Sequence, residues 1–396
     1  MVSERIRQAL AGSSAIRAMF IEGKALAEKV GAENVYDFSL GNPATEAPKA
    51  LNEAIKEILD EEDSLIIHGY MDNSGYEDVR QSVADNLNRR FGTHFNYHNI
   101  IMTVGAAGGL NIIFKTILDP GSELMVFAPY FGEYRSYAAN FDGKLVEVFP
   151  NTADFQPDME DFEKKITPKT RAVIVNTPNN PTGVIYSQET MKKIASILCA
   201  KEQEYGTDIY LISDEPYREL VYDGAKEDFL TKYYHNTLVG YSFSKSLSLP
   251  GERIGYVVVP DEAADSDLLK DGINVSNRTL GFVNAPSLMQ KAVARCLEEK
   301  TNVGFYDGNR ILLYEELTKL GFTCIKPQGA FYLWMKSPVE AEEEFVRAAK
   351  KYNILFVKGS AFACPGYVRI AYCVSKEMIE RSLPAFKELA KEYGLA

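Results

Sequence analysis

Short apolar runs alternate with amphipathic stretches through the middle of the chain. The runs are NIIMTV (99–104), ELMVFAP (123–129), KLVEVF (144–149), RAVIVNTP (171–178), DIYLISDE (208–215), TLVGYS (237–242) and RIGYVVVP (253–260). Each has the length of a strand, and helix-like stretches such as Gln188–Tyr205 lie between them. Strand and helix in alternation predict an α/β fold with a mostly parallel, seven-stranded sheet sandwiched by helices. After Pro260 the pattern changes. Helical periodicity runs through 286–319, followed by a strand-like FYLWM (331–335), a helix over 341–352, ILFVK (354–358), YVRIAYC (367–373) and a last helix from Ser375. This predicts a smaller α+β domain. The first 40 residues read as helical up to about Val30, with no sheet of their own. They are expected to pack on the large domain, the C-terminal domain or a partner subunit. The expected division is a large domain over 46–288 and a small domain formed by 1–45 with 289–396.

Composition narrows the picture. The chain has 396 residues, enough for two domains, with 46% apolar and 25% charged residues, an ordinary globular balance. A formal charge of -12 argues against a sequence-independent grip on nucleic acid, although a local pocket can still take a small anion. Five scattered cysteines with no CxxC pair fit reduced thiols and a cytoplasmic setting. The start lacks a long apolar stretch, so no secretory signal is expected, and no run approaches membrane-spanning length.

The candidate chemistry collects at the ends of the predicted strands, where open α/β sheets bind ligands. After NIIMTV, Gly105, Ala106 and Ala107 open a helix. Such small residues either let a phosphate approach the free N–H groups or merely pack tightly. Asn180, in NNPTG, offers an amide or simply forms a turn. Asp214, in SDEPY, is a carboxylate at the end of a buried strand, which needs a partner or a shifted pKa; a helix cap is the other reading. Tyr217 follows it. In YSFSKSLSLPGERIGY (241–256), Ser242, Ser244 and Arg253 suit a phosphate, and Lys245 in a poorly solvated pocket can attack a carbonyl. An anion cradle, a carboxylate, a phenol, an amide and a lysine are together the set that pyridoxal 5′-phosphate requires.

With these residues in place, the chain resembles the class I/II, fold-type I pyridoxal-phosphate aminotransferases, of the aspartate aminotransferase kind. The resemblance runs from SLGNP (39–43) to YVRIAYC, with NNPTG, SDEPY and SFSKSLSLPGERIGY in the family's order. It implies that Lys245 forms the Schiff base and shuttles the substrate's α-proton. It implies that Asp214 pairs with the pyridine nitrogen, and that Tyr217 and Asn180 bond the ring's phenolic oxygen. Ser242, Ser244 and Arg253, with the backbone at Gly105, Ala106 and Ala107, would form the phosphate cup. Phe131 would stack on the cofactor. Arg369 would clamp the substrate α-carboxylate, with Gly41 and Asn42 on a loop closing nearby. Tyr70 matches a tyrosine that reaches the phosphate from the other subunit, which implies a homodimer with shared sites. The implied reaction is ping-pong transfer of an amino group from an L-amino acid to a 2-oxo acid, 2-oxoglutarate being the expected acceptor.

Two departures bear on the substrate. One bacterial subgroup of aspartate aminotransferases carries a lysine for the distal carboxylate where this chain has Ala107. Arg278 lies about two residues from the position at which another subgroup carries an arginine. Two alternatives stay open: a β-eliminating carbon–sulfur lyase built on the same site, and a non-catalytic sensing or interaction module. No metal is expected: His94 and His98 read as a surface loop. The run Asp60–Asp63 reads as a solvated helix end. Glu342–Glu344 is expected in the first turn of a helix, where the dipole favours carboxylates. Cys364, close to Arg369 in sequence, reads as structural.

Overall fold

Except in the edge run KLVEVF, the apolar runs form strands whose side chains enter cores on both faces, in alternation. Ile100 and Met102 enter one core and Ile101 the other; Val239 and Tyr241 are likewise separated from Leu238. The computed structural model describes residues 1–11, 15–226 and 228–395. Its strands are β1 (Tyr36–Asp37), β2 (Ile100–Thr103), β3 (Glu123–Phe127), β4 (Lys144–Val148), β5 (Thr170–Asn176), β6 (Tyr210–Asp214), β7 (Thr237–Ser242), β8 (Gly255–Val258), β9 (Cys324–Ile325), β10 (Tyr332–Lys336), β11 (Ile354–Leu355), β12 (Val357–Lys358) and β13 (Tyr367–Ala371).

Seven of them make the expected sheet, in the order β2-β8-β7-β6-β5-β3-β4. All neighbours run parallel except β8, which is antiparallel to both β2 and β7. The link from β7 to β8, residues 243–254, carries only the four-residue helix Phe243–Ser246, and the chain turns back on itself. That return brings Ser242 opposite Gly255 and gathers Lys245 and Arg253 at one end of the sheet. Helices cover both faces: Lys49–Glu61, Glu77–Phe91 and Ser287–Ala294 pack on one core, and Gly105–Ile117 with Ser266–Thr279 on another.

A second sheet, order β12-β13-β10-β9, is antiparallel throughout. It shares a core with the helices Val303–Lys319, Glu342–Lys351 and Lys376–Glu392. Two expectations need correction. The N-terminal segment does join a sheet: β1 pairs in parallel with β11, through Tyr36↔Ile354 and Asp37↔Leu355. The run 354–358 is therefore two strands serving two sheets, β11 with β1 and β12 with β13. The N-terminal helix Ala15–Val30 lies against the C-terminal region, where Lys350 Nζ donates to Glu22 Oε2 at 2.8 Å. All five cysteines are free. Among the described residues no helix is long and apolar enough to cross a membrane.

Candidate active site

A cavity of about 280 Å³ opens at the carboxyl ends of the parallel strands. It is lined by Gly41, Ala106, Ala107, Phe131, Asn180, Asp214, Tyr217, Ser242, Ser244, Lys245, Arg253 and Arg369. The fold thus unites residues from β5, β6, β7 and β13 with the segment that follows β1.

Asp214 ends β6 and is 5% exposed. Its Oδ2 accepts a short hydrogen bond from the buried Tyr134 hydroxyl. Its Oδ1 is buried with no partner. Burial pushes the carboxyl up to about 7; the bond from Tyr134 opposes this shift and the charge of Glu215 adds to it. Lys245 lies in the short helix Phe243–Ser246 directly after β7, and its Nζ donates to the Gly41 carbonyl at 2.6 Å. Burial pulls its pKa down to about 8, with Arg369 and Arg253 pushing the same way.

The Ser242 hydroxyl donates to Ser244 Oγ at 2.8 Å and accepts from the Ser244 N–H at 3.2 Å. Both hydroxyls face the free N–H end of the helix Gly105–Ile117 across the cavity. Gly105 has φ +76, and a Cβ there would meet Arg253 Nη2 at 2.8 Å, so only glycine leaves room for the guanidinium. Arg253 itself is held at φ 52, a left-handed conformation that non-glycine residues seldom adopt. Its Nη1 donates to the Pro250 carbonyl at 2.9 Å.

On the opposite wall, Arg369 is 1% exposed. Nη1 donates to Asn180 Oδ1 at 3.0 Å and Nη2 to the Ser39 carbonyl at 2.7 Å, while Nε has no partner. Asn180 is fixed in turn by its own N–H, which donates to Asn176 Oδ1 at 2.8 Å; Asn176 Nδ2 donates to the Asp214 carbonyl. The Tyr217 and Tyr332 hydroxyls are 2.9 Å apart.

Four of the residues singled out from the sequence do not line the cavity. Gly105 lies just behind it. Asn42 is exposed and its amide turns to Pro43. Tyr70 is 94% exposed. Arg278 is exposed at the end of the helix Ser266–Thr279. Cys364 is buried, with its thiol pushed up to about 12 by burial and by the Glu342 charge. Sequence reasoning missed Tyr134, Tyr137, Asn176 and Tyr332. Tyr134 stands in the APYFGEY segment that supplied Phe131, yet nothing in that pattern says its hydroxyl reaches a strand end eighty residues later.

These groups fit pyridoxal phosphate on their own chemistry. A buried carboxylate oxygen without a partner suits a protonated ring nitrogen. Paired hydroxyls, a guanidinium and a helix N-terminus suit a phosphate. A buried amine of lowered pKa suits Schiff-base formation.

The comparisons with known proteins point the same way. The family model "Aminotransferase class I and II" matches residues 33–386. The aspartate/prephenate aminotransferase of Thermus thermophilus is 31% identical over 92% of this chain and 94% of its own length. The aromatic-amino-acid aminotransferase 2 of Thermococcus litoralis is 30% identical over 92% and 94%. A crystal structure of an aminotransferase from Eubacterium rectale superimposes with a TM-score of 0.96 at 47% identity, covering all of both chains. A fold, a strand-end cavity and a family model that agree over nearly the full length leave one assignment: the chain belongs to the class I and II aminotransferase family and is an aminotransferase.

Proposed function

We propose that the protein uses pyridoxal 5′-phosphate to move an amino group from an L-amino acid to 2-oxoglutarate in two half-reactions. The observation that carries this reading is the unpartnered, buried Oδ1 of Asp214 in the same cavity as the buried amine of Lys245.

Ser242, Ser244, Arg253 and the N–H groups at Ala106 and Ala107 would hold the phosphate. Asp214 would hold a proton on the ring nitrogen through Oδ1, because Tyr134 already occupies Oδ2. Asn180 has its oxygen committed to Arg369, so its amide nitrogen is the group free to donate to the ring's phenolic oxygen, beside Tyr217. Phe131 would stack on the ring. When bound, the cofactor draws off the negative charge left as the substrate's α-proton departs. Lys245 Nζ, with a pKa near 8, is partly neutral at physiological pH and can take that proton and return it. Arg369 would hold the α-carboxylate bidentately and so orient the α-carbon toward Lys245. Tyr70, exposed in the single chain, would complete the phosphate site of a second copy, which makes a homodimer the expected working form.

A half-reaction tests this. Excess amino acid without acceptor should release one 2-oxo acid per site and no ammonia. Ammonia appearing with pyruvate from a cysteine conjugate would replace the proposal with β-elimination. A protein that stays colourless with added pyridoxal phosphate, or a Lys245→Ala variant with full turnover, would remove catalysis altogether. In a donor panel against 2-oxoglutarate, aspartate is not expected to stand above uncharged donors, since Ala107 offers a methyl group to a distal carboxylate. Aspartate as the sole donor would overturn that expectation.

A further inference from the structure

We propose that Glu342 is a positioning residue for the substrate-carboxylate site: it fixes the loop that holds Arg369 in place and thereby sets the affinity for the α-carboxylate. The inference rests on the role of Arg369 given above.

The Arg369 guanidinium lies between two rings, 4.3 Å from the centroid of Tyr332 and 4.8 Å from that of Phe362. Tyr332 is part of β10, which is paired along its length with β13, so its place is set by the sheet. Phe362 lies outside the strands, although its ring packs on Trp334 of β10, centroids 5.8 Å apart. It ends the turn Gly359–Phe362, and the loop then passes through Ala363 at φ 60 and Gly366 at φ 85 before β13 begins at Tyr367. The loop leaves β12 and enters β13, which pair with each other, and one side chain from outside the sheet bridges its two ends.

Glu342 holds it. The residue opens the helix Glu342–Lys351 and is 2% exposed, unlike its neighbours Glu343 and Glu344. Oε1 accepts from the Ser360 N–H at 2.8 Å. Oε2 accepts from the Gly366 N–H at 2.6 Å and the Tyr367 N–H at 3.3 Å. One carboxylate thus ties the start of the loop, two residues before Phe362, to its end, two residues before Arg369. The same turn touches the cofactor side, because the Phe362 carbonyl accepts from the Tyr130 N–H at 3.1 Å, next to Phe131. Three backbone N–H donors and the N-terminus of its own helix surround this carboxylate.

The experiment uses the holoenzyme. Glu342→Gln keeps the shape and turns one acceptor into a donor that faces other donors. The KM for the amino acid and the dissociation constant for propionate, a carboxylate that cannot react, should each rise about tenfold, the loss of one charge-assisted bond. The value of kcat should change by less than about twofold, and pyridoxal-phosphate affinity and absorption should not change. Phe362→Leu, which leaves the loop bonds intact, should weaken propionate binding in the same way. The double variant should be no worse than the worse single one. If Glu342→Gln does not fold, Glu342→Asp, which keeps the carboxylate but shortens its reach to the loop N–H groups, takes its place, and unchanged propionate binding in that variant overturns the proposal. Unchanged propionate binding in a folded Glu342→Gln variant overturns the proposal. So does a joint loss of KM, kcat and cofactor affinity, which would mark general destabilisation. Arg369→Gln separates the two layers. If it leaves propionate binding unaltered, the carboxylate role of Arg369 fails. If it abolishes binding while Glu342→Gln and Phe362→Leu do nothing, only the positioning role fails.

Discussion

Two neighbouring residues at the end of β6, Asp214 and Glu215, are both buried carboxylates, yet they belong to different regions with different chemistry. Glu215 points into the core beneath the cavity. There it accepts from Ser213 Oγ at 2.6 Å and from Arg218 Nε at 2.5 Å. Arg218 also donates to the Tyr256 hydroxyl and stacks over Tyr241, 4.4 Å from its centroid. Burial pulls the Arg218 pKa down, but Glu215 and the groups around it more than offset this and hold it well above the usual value. On the cavity side the charges stand apart. Asp214 has one phenol and a vacant oxygen. Arg369 has the same aromatic surroundings as Arg218 but only neutral acceptors, an amide and a carbonyl. A buried charge matched by its opposite is closed and serves the fold. One matched only by neutral dipoles is costly until a ligand supplies the counter-charge, which is the condition of a binding site.

The largest test of this contrast is on the closed side. Glu215→Gln leaves Arg218 buried without its counter-charge and should cost about 3–5 kcal/mol in urea unfolding. Arg369→Met removes a cation that has no anionic partner among the described residues, so its stability should be unchanged or higher. Equal losses in the two variants would break the comparison. The second effect is functional: kcat/KM for the amino acid should fall by about 2–4 kcal/mol equivalent in Arg369→Met.

Third, Asp214 binds its proton more tightly folded than unfolded. Stability of the cofactor-free protein is therefore fully present below pH 4 as far as this group is concerned and is lost as pH rises toward 7. The loss should be on the order of 4 kcal/mol, absent in Asp214→Asn and removed by cofactor. A slope that persists in Asp214→Asn would assign it elsewhere. The smallest effect concerns Lys245. Capture of pyridoxal phosphate by the cofactor-free protein needs the neutral amine, so its rate should climb about tenfold between pH 7 and 9, with a midpoint near 8. A midpoint above 10 would mean an ordinary, solvated lysine.

The large sheet was legible because buried parallel strands are long apolar runs, and the cavity residues it carries were legible because they sit directly after those runs. Asp214, Lys245 and Asn180 needed only the rule that ligands gather at strand ends. The antiparallel entry of β8 was not legible, since direction leaves no mark on an apolar run. β1 is two residues long and has no pattern at all. Its pairing with Ile354 comes from tertiary packing. Tyr134 and Tyr332 look like ordinary core aromatics in sequence, and only their hydroxyl partners distinguish them. Glu342 looks like the first of three solvated helix-end acids, and burial alone separates it from Glu343. The comparison of Asp214 with Glu215 makes the same point at single-residue scale: the letters DE do not say which carboxylate has an arginine.

The segment after β1 holds both sides of the cavity, Ser39 through Arg369 and Gly41 through Lys245. This has a consequence for biosynthesis. The loops proposed to hold the phosphate are all synthesised once Arg253 has been made, whereas the Ser39 carbonyl lacks its donor Arg369 until residues 254–369 have followed. At roughly 5–20 residues per second that interval is on the order of ten seconds. Through it the segment after β1 has its Lys245 contact within reach but not its Arg369 contact, so its docking is completed only late in synthesis.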